Sequence, residues 1–220
     1  MRRTLERLAL IAAAIVTTLA PARDAAAQLA SRPVDEWIKV LESEERLAGL
    51  KTSEVVASLK LQPGQVVADL GAGSGPFVVP FANAVGARGK VYAVDVDRNF
   101  FAYIDKRAKA GGVGNVRTVL GEFTDPKLPA ADVDLAFLHD VLHHIENRAA
   151  YLKAAAAYLK PGARIAIIDY HAASSPHRDQ PALVVSKEQA AAWLADAGFT
   201  PAEDLTLFAE KWFLIYERKP

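Results

Sequence analysis

Apolar positions recur along this chain with two different periods, and the switches between them mark out alternating helices and strands. From Ser31 to Lys60 the apolar residues Val34, Trp37, Ile38 and Leu41, then Leu47, Leu50, Val55, Val56 and Leu59, fall at helix-like spacings and predict one or two helices capping a sheet. Pro63-Gly64 then turns the chain into Val66–Leu70, a short run rich in β-branched residues that reads as a buried strand. Beyond it, predicted helices over Phe77–Val85, Asn99–Ala110 and Arg148–Leu159 alternate with predicted strands over Lys90–Asp95, Val116–Leu120, Asp132–Leu138 and Ala163–Asp169. A helix capped by Ser186 and ended by Gly198 leads to two final strands, Ala202–Phe208 and Lys211–Arg218, joined by a tight turn. This alternation predicts an α/β fold: a doubly wound, mostly parallel seven-stranded sheet with an antiparallel last strand, binding its ligand at the strand C-termini. Trp193 and Trp212 read as core, and Trp37 as packing, with covering a cofactor or substrate as the alternative.

The first residues follow a different pattern. Met1-Arg2-Arg3 and Arg7 give a basic start, Leu8 to Ala20 is an apolar or small run, and Ala25-Ala26-Ala27 supplies a small-residue cleavage site before Gln28. Residues 1–27 are therefore expected to be a secretory signal, making the protein periplasmic or secreted, with anchoring by an uncleaved signal as the alternative. The run is shorter than the roughly 20 residues of a spanning helix, so no stable membrane insertion is expected after cleavage. Residues 28–62 then form an N-terminal helical cap and residues 63–220 one domain. No second domain or internal repeat shows. Composition narrows the chemistry further. Lys+Arg and Asp+Glu both number 26, so no net field favours nucleic acid as a partner. The absence of cysteine excludes disulfides, thiolate metal sites and a cysteine nucleophile.

Candidate chemistry concentrates after the first strand, in Asp69-Leu70-Gly71-Ala72-Gly73-Ser74-Gly75. Three alternate glycines let the backbone turn where a side chain would meet a ligand, and a helix after them aims free N–H groups at it. The spacing departs from the dinucleotide fingerprint G-x-G-x-x-G, and Asp69 would repel a pyrophosphate but attract an ammonium group. The stretch resembles motif I of the class I S-adenosylmethionine-dependent methyltransferases. Asp95 ends the second strand about 20 residues past the central glycine, where a carboxylate takes ribose hydroxyls; Asp97 is held in reserve, with helix capping as its first role.

That resemblance implies a methyltransferase acting on a small-molecule substrate, with S-adenosylmethionine as the methyl donor. It places the amino-acid end on Asp69 and the Gly71, Ala72, Gly73 and Gly75 backbone, the ribose on Asp95 beside Val96, and the adenine on Glu122 and Phe123. His139-Asp140-Val141-Leu142-His143-His144 is similar to the Leu-His-His segment of small-molecule members, with His139 beside the cofactor. If the acceptor is a hydroxyl, His144 or His171 would serve as base and Asp140 would orient it. His139 and His143 sit four apart, yet a metal needs further ligands, and none is assigned. Tyr170–Val185, polar and irregular, reads as a lid or specificity loop. Two alternatives stay open: a non-catalytic exported binding protein on the same scaffold, and an NAD-dependent oxidoreductase, which the glycine spacing and Asp69 disfavour.

Overall fold

In the computed structural model, which describes residues 33–219, strand order fixes where a ligand can go. The expected signal over residues 1–27 and the start of the cap lie outside the described residues. The seven strands are β1 (Val66–Leu70), β2 (Lys90–Asp95), β3 (Val116–Leu120), β4 (Val133–His139), β5 (Leu159–Tyr170), β6 (Phe199–Leu205) and β7 (Lys211–Arg218). They form one sheet in the order β3-β2-β1-β4-β5-β7-β6. β1 pairs in parallel with both β2 and β4, and β7 runs antiparallel to β5 and β6. The expected fold class is therefore the observed one. Succession reverses at β1: β2 and β3 lie on one side and β4 on the other, so a crevice opens beyond the C-termini of β1 and β4.

Period-2 alternation builds the two layers around this sheet. Ala68, Leu70, Tyr92 and Val94 face α6 (Arg148–Ala156) and α7 (Lys187–Asp196), which contribute Leu152, Ala155, Ala190 and Leu194. Val67, Val91, Leu135 and Phe137 face the other layer, where α3 (Thr52–Ser58) supplies Val55 and α4 (Val78–Val85) supplies Phe81 and Val85. α5 (Phe101–Ala110) adds Ile104 on the same side. Among the described residues, no helix is long and apolar enough to cross a membrane.

The structure shifts several expected boundaries. The cap is three short helices, α1 (Val34–Leu41), α2 (Glu44–Gly49) and α3, because Ser43 accepts a hydrogen bond from the Arg46 amide to start α2 and Lys51 turns the chain at φ +47°. Lys160-Pro161-Gly162 was expected to precede β5, but β5 runs through it as a bulge. Val133 pairs with Leu159 and Leu135 with Arg164, while Gly162 absorbs the bend at φ +73°. β6 ends at Leu205, earlier than expected, and frees Phe208 to pack in the core on the side of α3 and α4.

The glycine loop follows β1 as expected. Gly71, Gly73 and Gly75 all have positive φ, and a Cβ on Gly71 would come within 2.4 Å of a Val141 methyl. The loop is pinned to β2, with the Gly71 and Ala72 amides donating to the Val94 carbonyl at 2.8 and 2.9 Å. Gly71→Ala is accordingly expected to destabilise the protein by about 1–3 kcal/mol in urea unfolding. Adding Val141→Ala should recover part of that loss, because it removes the clash but not the φ strain.

Candidate active site

The crevice is a cavity of about 540 Å³, within the range of small-molecule sites. Its floor is the C-terminal ends of β1, β2 and β4, its roof the apolar side chains Trp37, Val40 and Leu41 of α1, and its far wall Tyr170, Pro176 and His177. Trp37 thus borders the cavity, the alternative role read for it, and is only half-buried.

By strand alternation Asp69 shares the face of Val67, which turns its carboxylate into the crevice from β1. It is 3% exposed, and its Oδ2 is buried with no hydrogen-bond partner. Burial, with the neighbouring Asp95 charge second, pushes its pKa up to about 8. Asp95, at the end of β2, is held differently. Its Oδ2 accepts from the Gly73 amide at 2.8 Å and its Oδ1 from the Asp97 amide at 3.0 Å, so the carboxylate fixes the glycine loop while each oxygen keeps acceptor capacity. Burial raises its pKa, and those amides counter the rise. Asp97 caps the turn Arg98–Phe100 by accepting from the Asn99 amide, the role first assigned to it.

Val96, Glu122 and Phe123 border the cavity. Glu122 is mostly exposed and paired with Lys127 at 3.4 Å, and its corner is closed by backbone pairing with Asp125. Phe123 is 39% exposed at the edge of the cavity.

His139 ends β4, its ring 5.3 Å from that of Phe77. Its Nε2 is buried without a partner, and burial lowers its pKa to about 4, leaving it neutral. Asp140 departs from the role expected of it. At φ +56° its Oδ2 accepts from Lys211 at 2.9 Å and Arg46 at 3.4 Å. Burial would raise its pKa; the charges around it hold it below the usual carboxylate range, and with His139 neutral those charges are Lys211 and Arg46. Asp140 is thus an ion-pair centre tying α2 to β7, not a free partner for a base. Its Oδ1 is buried without a partner, and Asp140 is among the residues lining the cavity.

His171, expected as a base, does not reach the cavity. It is exposed, its amide donates to the Glu210 carbonyl, and its side chain is not among those lining the cavity. The histidine that the Tyr170–Val185 loop does contribute is His177, which was not singled out as a site residue. His144 lines the cavity, but burial and then His143 and His177 lower its pKa to about 3, leaving a weaker base than free imidazole. His139 and His143 sit four apart in sequence, yet among the described residues the histidines whose ring nitrogens come together are His143, His144 and His177. His143 is buried, its Nδ1 2.7 Å from Asp169 Oδ1 and its amide donating to Asp169 Oδ2 at 3.1 Å. Sequence distance hid this pair, although Asp169 stood at the end of a predicted strand.

Comparison with known proteins agrees with this geometry. Residues 67–162 match the family described as a methyltransferase domain. The ubiquinone/menaquinone biosynthesis C-methyltransferase UbiE of Vibrio vulnificus is 29% identical over 110 residues, 50% of this chain and 42% of that protein. A demethylmenaquinone methyltransferase of Geobacillus kaustophilus is 27% identical over 109 residues, 50% of this chain and 47% of that protein. The chain therefore aligns with under half the length of the curated relatives it matches. A crystal structure of a SAM-dependent methyltransferase from Aquifex aeolicus superposes with a TM-score of 0.75 at 26% identity, covering 84% of this chain and 98% of that one.

The raised pKa of Asp69 has a definite sign in stability. Between the unfolded value near 3.8 and the folded value near 8 the folded state binds the extra proton, so this group's contribution falls as pH rises through that window. Asp69→Asn removes the titration. The melting temperature of the variant relative to wild type, both without ligand, is expected to climb from pH 5 to pH 8 and level off above it.

Proposed function

We propose that this chain is a class I S-adenosylmethionine-dependent methyltransferase and that it uses its cavity to transfer a methyl group from S-adenosylmethionine to a small molecule, a reading supported by the methyltransferase-domain match and by the superposition on the Aquifex aeolicus enzyme. The observation that carries the reading is the Asp69 carboxylate, buried without a partner in front of a glycine loop whose first position tolerates no Cβ. A buried carboxylate is offset by a cation, and the α-ammonium of the methionine moiety is one, whereas a dinucleotide would set a pyrophosphate against it.

On this reading Asp69 and the Gly71–Gly75 backbone, including Ala72, hold the amino-acid end. Asp95 takes the ribose hydroxyls on the lone pairs that the Gly73 and Asp97 amides leave, with Val96 alongside. Glu122 and Phe123 border the adenine slot, and His139 closes the floor. When bound, S-adenosylmethionine supplies a methyl group activated for displacement by its sulfonium. What remains for the chain is alignment and exclusion of water, and Trp37 and Leu41 roof the cavity for that purpose.

The acceptor belongs against the far wall of Tyr170, His143, His144 and His177. Tyr170 and His177 lie outside the family match, so the named substrates of the relatives do not carry over to this wall.

Calorimetric titration with S-adenosylhomocysteine tests the site. Micromolar binding is expected, weakened at least tenfold by Asp69→Asn and by Asp95→Ala. Because the ammonium displaces a proton from Asp69, affinity should strengthen as pH rises from 6 to 8 and then level, with the heat depending on buffer ionisation. Absence of binding by folded wild-type protein would overturn the reading.

A further inference from the structure

We infer that His143, His144 and His177 form a site for one divalent late-transition-metal ion of the zinc class, opening onto the acceptor side of the cavity. One ligand nitrogen from each ring lies within 4.8 Å of the other two. A tetrahedral ion with metal–nitrogen bonds of about 2.0–2.1 Å holds its nitrogens roughly 3.4 Å apart, so the rings need to draw in by little more than an ångström. His143 and His144 are neighbours on the turn Leu142–His144, with ring centroids 4.2 Å apart, and His177 comes from the loop between β5 and α7, at 5.3 and 5.4 Å from them.

Three features around the rings suit a metal. Asp169 holds His143 by Nδ1, which fixes the tautomer and leaves Nε2 as the ligating nitrogen, the carboxylate–histidine arrangement that supports metal-bound imidazoles. Asp169 is itself held by the His143 and Tyr170 amides. Arg148 then ties the two halves of the site together: its Nη2 donates to the His143 carbonyl at 2.8 Å and to the Ala182 carbonyl at 2.6 Å, joining the turn to the loop that carries His177.

The donor set selects the ion. Three imidazoles suit zinc, cobalt, nickel or copper, whereas magnesium and calcium require oxygen ligands. With no cysteine in the chain, no thiolate competes. Three protein ligands leave one coordination position, and all three histidines line the cavity, so that position takes an oxygen of a bound molecule. Only this last step rests on the proposed methyl transfer; binding of the ion does not.

The test is titration of the tag-free, chelator-treated full-length chain with Co²⁺ alone, followed in the visible spectrum. The expected result is the intense absorption of a tetrahedral site, saturating at one equivalent and abolished by Zn²⁺. His143→Ala and His177→Ala should each weaken Co²⁺ binding at least tenfold, Asp169→Asn about 10–100-fold, and His171→Ala not at all, with circular dichroism confirming that each variant folds. Colourless or non-stoichiometric binding by wild type, or unchanged binding by folded His177→Ala, would overturn the inference. S-adenosylhomocysteine affinity measured on the same samples separates the two readings: cobalt bound without it leaves the metal site standing and removes the methyl-transfer role, and the converse removes the metal site.

Discussion

The reversal of strand order at β1 is the constraint on which the rest of the molecule depends. Because β2 and β4 flank β1 and their connections leave in opposite senses, the ends of β1 and β4 cannot be covered by their own loops. The two loops that start there press on each other instead, with Val141 against Gly71. The same closeness that forbids a side chain at Gly71 leaves room for a ligand beside it, so the glycine loop and the cavity are two results of one topology.

Electrostatics divides the acids stranded in that crevice. Asp69 and Asp140 are both buried at strand ends, yet Asp140 has Lys211 and Arg46 while Asp69 has another carboxylate for a neighbour. Asp140 is paired within the protein through its Oδ2, whereas the Oδ2 of Asp69 has no partner there. A buried pair broken on one side is among the more expensive defects in a fold, and the unpartnered Asp69 is the observation on which the proposed cofactor site rests.

Much of this was legible in the residues. The β-branched run before the glycines, the alternate spacing of the glycines and the acid ending β2 are local signals; the structure places Asp69, Gly71, Gly73 and Asp95 around the cavity, while Val66 and Val67 pack in the core and Gly75 lies against Ile104 and Val78. Adjacent strands and helices followed from periodicity, with errors where a local rule met a longer-range demand: Pro161-Gly162 reads as a turn but is absorbed as a bulge because β4 continues to pair on both sides of it. Contacts across long separations were not legible. Asp140 looked available for chemistry until Lys211 and Arg46 arrived from distant parts of the chain, and the His143–Asp169 pair appears only once β4 and β5 lie side by side. His177 needed the fold of an irregular loop, for which sequence carries no period.

The roof over the cavity is fastened unlike its floor. α1 has no fully buried residue, and it is held at its rim by Glu42 to Arg107 and Asp35 to Tyr103, with Arg46 of α2 reaching Asp140. Arg107 also donates to the Ser74 carbonyl, so one side chain grips both the roof and the glycine loop. Of these, the part-exposed Glu42–Arg107 ion pair weakens with ionic strength, while the apolar packing of the strands beneath does not. The roof over the cavity can therefore open without disturbing the sheet beneath it.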